Sequence, residues 1–539
     1  MSPQFFVSAA VCLALTLVSS ATAGPSPASV AKRIDRALAH DVFTDSSVLA
    51  PRSDDATFLR RVTLDIVGDI PSPEAVIAFL LDPSTDKRER LVQKLLDDPH
   101  YGQNWARYWR DVVFYRAQEE RAQIAANAMV VDLAKQLNNG AGWDRIATDF
   151  ITARGDVKEN GHAAIIMAQN GRTEETTAEM SRIFLGIQIQ CAQCHDHPTD
   201  RWKREQFHEL ASFFPRIAVR PVRAMTKRSF EVYSSDRYRN KRRKNANNDR
   251  RPQAEHRMPD LEHPEKAGKL MQPKFFLTSA SLPAGARDTE RREQLAQWLT
   301  DSEWFAIAIV NRMWSELVGE GFYKSVDDIG PDREATAPTA VKLLAKKFSE
   351  NDYDLKWLLA TICQTEAYQR ETRPRRGPDG TPFVANVPQR LRSDQLFNAL
   401  FTALNVDETS SAPSGNRGNN RRRQSGPRDK FAALFGFDPG DSREDVAATI
   451  PQSLALMNSS EVNRYIKPKK SSLLNQLLHE IDDDESLIVE LYLRCLSREP
   501  QDKELATAMT YCEDVPKRSE AFEDLLWALI NSAEFQYRK

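Results

Sequence analysis

The chain has 539 residues, about two-fifths of them apolar, which is too long for one hydrophobic core and enough for two or three domains. Its 74 basic and 76 acidic residues nearly cancel to a net charge of −2, so no global field draws the molecule to nucleic acid or an anionic membrane. Six scattered cysteines are too few for a disulfide framework.

The first residues, "MSPQFFVSAAVCLALTLVSSATAGPSP", hold an apolar run from Phe5 to about Val18, followed by Ala21-Thr22-Ala23. This reads as a secretory signal peptide over residues 1–23, cleaved near Ala23, although its start lacks Lys and Arg. The run is too short to span a bilayer comfortably, and no later segment is apolar enough to cross one. The expected location is therefore periplasmic or extracellular, with no transmembrane span once the signal is removed. Cys12 sits in the apolar run, in a poor context for lipidation. Of the five remaining cysteines, Cys363 and Cys495 fall in helical patterns and read as buried free thiols.

Helical periodicity dominates the rest of the chain, and the fold class expected is mainly α. Residues 30–215 read as a first helical domain. Phe58, Leu59, Val62 and Ile66 lie on one face, Ser72-Pro73 restarts the chain as a capped helix, and "NWARYWRDVVFYR" places Trp105, Tyr108, Trp109 and Phe114 at core spacing. Residues 216–280 read as a small β-containing insert. "IAVRPVRAMTKRSFEVYSS" and "KFFLTSASLPAG" are strand-like, and "DRYRNKRRKNANNDRRPQ" between them reads as a disordered basic loop. Residues 281–539 return to helical period as a second helical domain. Another basic, apolar-poor segment occupies 410–429 and reads as a solvated loop. "LLATICQTEAYQR" and "LLWALINSAEFQYR" resemble each other, too briefly for a repeat architecture.

One stretch carries chemistry. Residues 191–202 read "CAQCHDHPTDRW" and contain C-x-x-C-H, the spacing that attaches a c-type haem. Upstream, Met180, Phe184, Ile187, Cys191 and Cys194 step by four, three, four and three. That spacing suggests an amphipathic helix running into the motif with the thiols on its buried edge. On the haem reading, Cys191 and Cys194 form the thioethers and His195 is the proximal ligand. For the distal face, Met180 is about 16 Å away along a straight helix. His197 should lie on the proximal side, and His208 beside its own helix stripe reads as solvated. His162 and Met167 rest on nearness in sequence alone, and a five-coordinate iron would leave the sixth position open for a small ligand or a reaction. A zinc reading takes Cys191 and Cys194 with His195 or His197 and needs one more ligand. A dithiol or disulfide needs only the two cysteines. Asp196 and His197 either orient His195 or a propionate, or belong to a plain turn in which Pro198 stops one helix, Thr199 or Asp200 caps the next and Trp202 packs. The paired carboxylates of "VDDIGPD" (326–332) read as a solvated turn rather than an acid/base pair. No phosphate-binding glycine loop, nucleophile elbow or H-E-x-x-H is present.

These segments resemble a family. "FLRRVTLDIVGDIPSPEAVIAFLLD", "YGQNWARYWRDVV" and "FLGIQIQCAQCHDHPTDRWKREQFHELASFF", with "REQLAQWLTDSEWFAIAIVNRMWSELVGEGF", "LRSDQLFNAL" and "ALINSAEFQY", are similar to those of large exported planctomycete proteins. Those proteins pair a cytochrome-like domain of unknown function with a second, C-terminal domain of unknown function. The resemblance implies likeness to c-type cytochromes, with the motif mapping onto Cys191, Cys194 and His195. Many relatives carry a further cytochrome module upstream; this chain has one C-x-x-C-H. The expectation is an exported haem c protein serving an unknown redox partner or exported protein, and not nucleic acid, by electron transfer or haem-supported redox chemistry. The alternative is an exported helical binding or scaffold protein whose cluster holds zinc or a disulfide. The sequence does not decide whether the chain is an enzyme.

Overall fold

The computed structural model describes residues 25–539 apart from 45–46, 119, 224–227, 237–254, 284, 376–379, 409–425, 444–445 and 447–448. The signal-peptide reading, the basic loop of the insert and most of the second basic segment therefore lie outside the described residues. The protein is mainly α, and among the described residues no helix is long and apolar enough to cross a membrane.

Local chemistry starts one helix where the sequence suggested. Ser72 caps the helix Pro73–Leu81 by accepting the Ala75 N–H at 3.3 Å, with proline in the first turn. The helix Pro99–Phe114 buries Trp105, Tyr108, Trp109 and Phe114 as read from their spacing, and Trp109 stacks on Trp143 with ring centroids 4.4 Å apart. That stack anchors a core running from Val30 to Phe383 and taking in Leu493. The helix Glu303–Val318 passes through it, buried at every position from Phe305 to Val318, and packs against the helix Thr173–Leu185. A second core gathers Leu391 to Phe535 around Leu64 and Ile70 from near the start of the chain.

The periodic face of Asp55–Val67 is only part of what that helix buries. Arg60, Arg61 and Asp65 are buried too. Arg60 donates to the Cys495 carbonyl at 2.9 Å, and Asp65 accepts from Arg538 at 2.6 Å and from the Tyr368 hydroxyl at 2.7 Å. The Asp65–Arg538 pair offsets burial with charge, whereas Arg60 is held by carbonyl and hydroxyl acceptors and its Nε has no partner among the described residues. Cys363 and Cys495 are buried free thiols, as expected, and burial pushes the Cys495 thiol up to about 12.

In the 216–280 segment, Ile217–Arg223 and Arg228–Ser234 form an antiparallel hairpin with Val219 opposite Val232, and Gly155–Asp156 adds a third strand from outside the segment. "KFFLTSASLPAG" corrects the strand reading. Phe275 N–H donates to the Ala280 carbonyl at 2.8 Å, and Ser279 takes a positive φ of 62°, so the chain turns back on itself. The cause is that adjacent Phe275 and Phe276 are both buried, whereas a half-buried strand sends successive side chains to opposite faces.

Candidate functional site

The helix Thr173–Leu185 leads toward the motif but stops short of it. Gly186 ends it at φ +64°, with its N–H on the Arg182 carbonyl at 3.1 Å. A Cβ there would come within 2.7 Å of Ile329, so the position requires glycine both for conformation and for close approach. This corrects the continuous-stripe expectation. Met180, Phe184 and Ile187 are buried, but the chain turns after them. Cys191 lies in the 3-10 turn Gln190–Gln193 and Cys194 follows it, and both thiols are free and exposed.

His195 is also exposed. Its Nδ1 lies 2.7 Å from the Asp196 carbonyl oxygen. A carbonyl can only accept, so Nδ1 carries the proton, and in the neutral imidazole Nε2 holds the lone pair. The Asp196 carboxylate turns the other way. It accepts the Arg204 N–H at 3.0 Å and the Lys203 ammonium at 3.0 Å, and these two contacts hold it below the usual carboxylate range. His197 Nδ1 accepts the Asp200 backbone N–H at 3.0 Å, while the His197 backbone N–H donates to the Trp202 carbonyl at 2.8 Å. His197 is thereby committed to the "HPTDRW" turn. Trp202 packs, as expected, edge-on to Phe276 at 4.9 Å. The capping differs from expectation. Gly186 rather than Pro198 ends the first helix, and Lys203 starts the next, its N–H donating to Gln206 Oε1 at 2.8 Å. Thr199 is left bonded to Asp200, whose carboxylate pairs with Arg333.

His208 is not solvated. It is buried, with Nε2 3.0 Å from the Gln193 carbonyl inside the motif and Nδ1 2.8 Å from Nε2 of buried His256. The carbonyl fixes the order of donors: His256 donates to His208, and His208 donates to Gln193. Burial lowers His208 to about 4 and His256 to about 3, and His256 Nδ1 faces Glu174 at 3.9 Å. Three positions separate His208 from Ala211 on the buried face of their helix, a signal that could have placed it inside. His256 lies in a charged stretch and carries no such signal.

The distal candidates stand elsewhere. Met167 and Met180 are core side chains, and His162 holds Gln136 Oε1 at 2.8 Å through Nε2 and Asn160 Oδ1 at 3.2 Å through Nδ1. Among the described residues, no group of three or more His, Cys, Asp or Glu side chains is gathered as a metal cage.

Sequence reasoning missed a strap across the motif. The 326–332 segment is not a solvated turn. Asp327 is buried against Arg182 at 2.5 Å and Arg312 at 3.2 Å, and it accepts from Gln188 at 3.2 Å. Burial raises its pKa, but the two guanidiniums outweigh that and hold it below the usual range. Ile329 N–H donates to the Gly186 carbonyl at 2.7 Å, Asp332 pairs with Arg201 at 2.7 Å, and Arg333 pairs with Asp200. The residues flanking the motif are thus pinned from a segment well over a hundred positions away.

Residues 33–219 match the family described as Protein of unknown function (DUF1549), which takes in the whole motif. Residues 291–512 match Protein of unknown function (DUF1553), which takes in the strap. The chain therefore carries both domains, in the N-terminal and C-terminal order to which its sequence pointed. No curated protein and no solved structure matches it.

Proposed function

We propose that the chain is an exported c-type haem protein that transfers electrons, or supports haem-based redox chemistry, for a partner. The observation that carries this reading is His195. A backbone carbonyl fixes its proton on Nδ1, and the free Nε2 stands in the same exposed turn as two free thiols three positions apart. That donor set suits covalent haem, which Cys191 and Cys194 would hold through their sulfurs and His195 would ligate through Nε2. Bound haem supplies one-electron redox chemistry. The chain's part is to orient: Asp196 sets the imidazole, His208 holds the Gln193 carbonyl, and the strap fixes the end of the preceding helix.

The test is expression into an oxidising periplasm with the haem-attachment machinery, followed by a covalent haem stain on a denaturing gel. The expected result is a stained band that disappears in Cys191→Ser and a mature N-terminus near Gly24. An unmodified mass for the peptide spanning Cys191–Cys194 would overturn the reading. Stoichiometric zinc bound to the unmodified protein would favour the binding or scaffold alternative.

A further inference from the structure

The helices Ser393–Ala403, Pro427–Phe435, Ile450–Asn458 and Ser460–Ile466 line a cavity of about 210 Å³, more than two hundred positions beyond the motif. Aromatic rings make much of its wall. Phe397 stacks on Phe401 with centroids 4.1 Å apart, and Phe431 stacks on Phe435 at 4.2 Å. Phe431 meets Phe397 edge-on at 5.6 Å, and Tyr465 tilts toward Phe401 at 6.0 Å. Phe397 and Phe435 are buried, but Phe401, Phe431 and Tyr465 keep part of their surface open and Leu434 is 39% exposed. The wall can therefore be reached from solvent.

Water is a poor occupant of such a space. Among the described residues on the wall, only Ser459 and Tyr465 offer neutral hydroxyls, and both are engaged. Ser459 Oγ accepts the Val462 N–H at 3.4 Å, and the Tyr465 hydroxyl accepts from Arg464 at 2.5 Å. A buried water makes about two to four hydrogen bonds, whereas an apolar cavity of about 150 Å³ stays dry and takes benzene. The present volume lies between that size and the roughly 300 Å³ of the smaller drug-type pockets, which suits one ring or two fused rings.

Charge narrows the ligand further. Lys430 and Arg464 are exposed and line the same space, and no carboxylate among the described residues pairs with either. No described Asp or Glu lines the cavity. Glu408 is taken by Arg428 at 2.8 Å, and Asp429 accepts the Gly426 N–H at 3.1 Å. Two uncompensated cations beside a ring-lined hollow complement a flat apolar molecule carrying one negative charge.

We propose that this cavity binds a small aromatic carboxylate of one or two fused rings, its rings against the phenylalanines and its charge toward Lys430 and Arg464. The site stands apart from the C-x-x-C-H motif and needs no haem.

The experiment is titration calorimetry of the mature chain with 2-naphthoate, with the neutral 2-naphthalenemethanol and with octanoate. Saturable binding of 2-naphthoate is expected, with the alcohol and octanoate each about tenfold weaker. A Lys430→Gln, Arg464→Gln double variant, altered only at exposed positions, should keep the unfolding midpoint. It should bind 2-naphthoate about as weakly as the alcohol and leave the alcohol's own affinity unchanged. Ala455→Phe, which fills the space from a half-buried position, should abolish binding of both. Lys503→Gln, in a separate surface cleft near the C-terminus, should bind as the wild type does. The proposal is overturned if 2-naphthoate does not bind saturably, including the case in which the chain instead dimerises through this face. It is equally overturned if the alcohol or octanoate binds as tightly, or if the double variant leaves 2-naphthoate binding unchanged.

Discussion

Two loops meet at the site and are built on opposite rules. The motif loop, 187–203, leaves its chemical atoms outside, since the Cys191 and Cys194 thiols and His195 are exposed, and anchors itself by its backbone. The strap loop, 326–333, buries a carboxylate, Asp327, between two arginines. The first keeps two thiols and His195 open to solvent, and the second commits Asp327 to the fold. A reactive loop can stay open because a charged, closed one holds it.

If that division is right, substitutions in the two loops should differ sharply. The largest effect is expected at Asp327→Ala. It leaves the Arg182 and Arg312 guanidiniums buried without their counter-charge, and chemical denaturation should show a loss of about 3–5 kcal/mol. Cys191→Ser and His195→Ala, at exposed positions, should leave the unfolding midpoint in place. Equal losses in both loops would erase the distinction.

An intermediate effect should come from the buried histidines behind the motif. Folded His208 and His256 titrate at about 4 and about 3, below the ordinary value of about 6.5. The unfolded chain thus takes up protons first as pH falls. Their contribution is complete above about pH 6.5 and declines toward the folded values, by at most about 1.4 kcal/mol per pH unit for each histidine. Denaturation at neutral pH and at pH ~5 should show this slope, flattened in a His208→Phe, His256→Phe double variant. A wild type as stable at the lower pH would mean that the pair is not buried neutral.

The smallest effect belongs to the strap's outer edge. Arg201 and Asp332 form an ion pair with Arg201 more than half exposed, so Asp332→Ala should change thermal stability little, and less still at high salt. A large loss there would show that the strap is held from its rim and not from Asp327.

What the sequence revealed was local. Cap residues such as Ser72, the aromatic spacing of Trp105, Tyr108 and Trp109, the strand character beginning at Ile217, and the position of the motif all arise from near neighbours. The failures share a cause as well. Ile187, Cys191 and Cys194 prolong the apolar stripe past Gly186, so the helix appeared to reach the cysteines, although a glycine after the last turn is a common stop. Asp327 was read as solvated because its partner Arg182 lies 145 positions away. His208 was read as solvated although its helix face could have placed it inside. His256, 48 positions further on, gave no signal at all. Arg60 and Arg61 look like surface charge until the carbonyls that receive them are in place. Long-range pairing of charge and imidazole has no periodicity to betray it.

The contact of Ile329 with Gly186, and that of Asp327 with Arg182, also bear on inheritance. Each couple has one member in either half of the chain, so a change at one alone creates a collision or a stranded charge. Across chains that carry both domains, these positions should drift together, and a hybrid assembled from halves of two distant chains should fail at this seam unless both members of each couple come from the same parent.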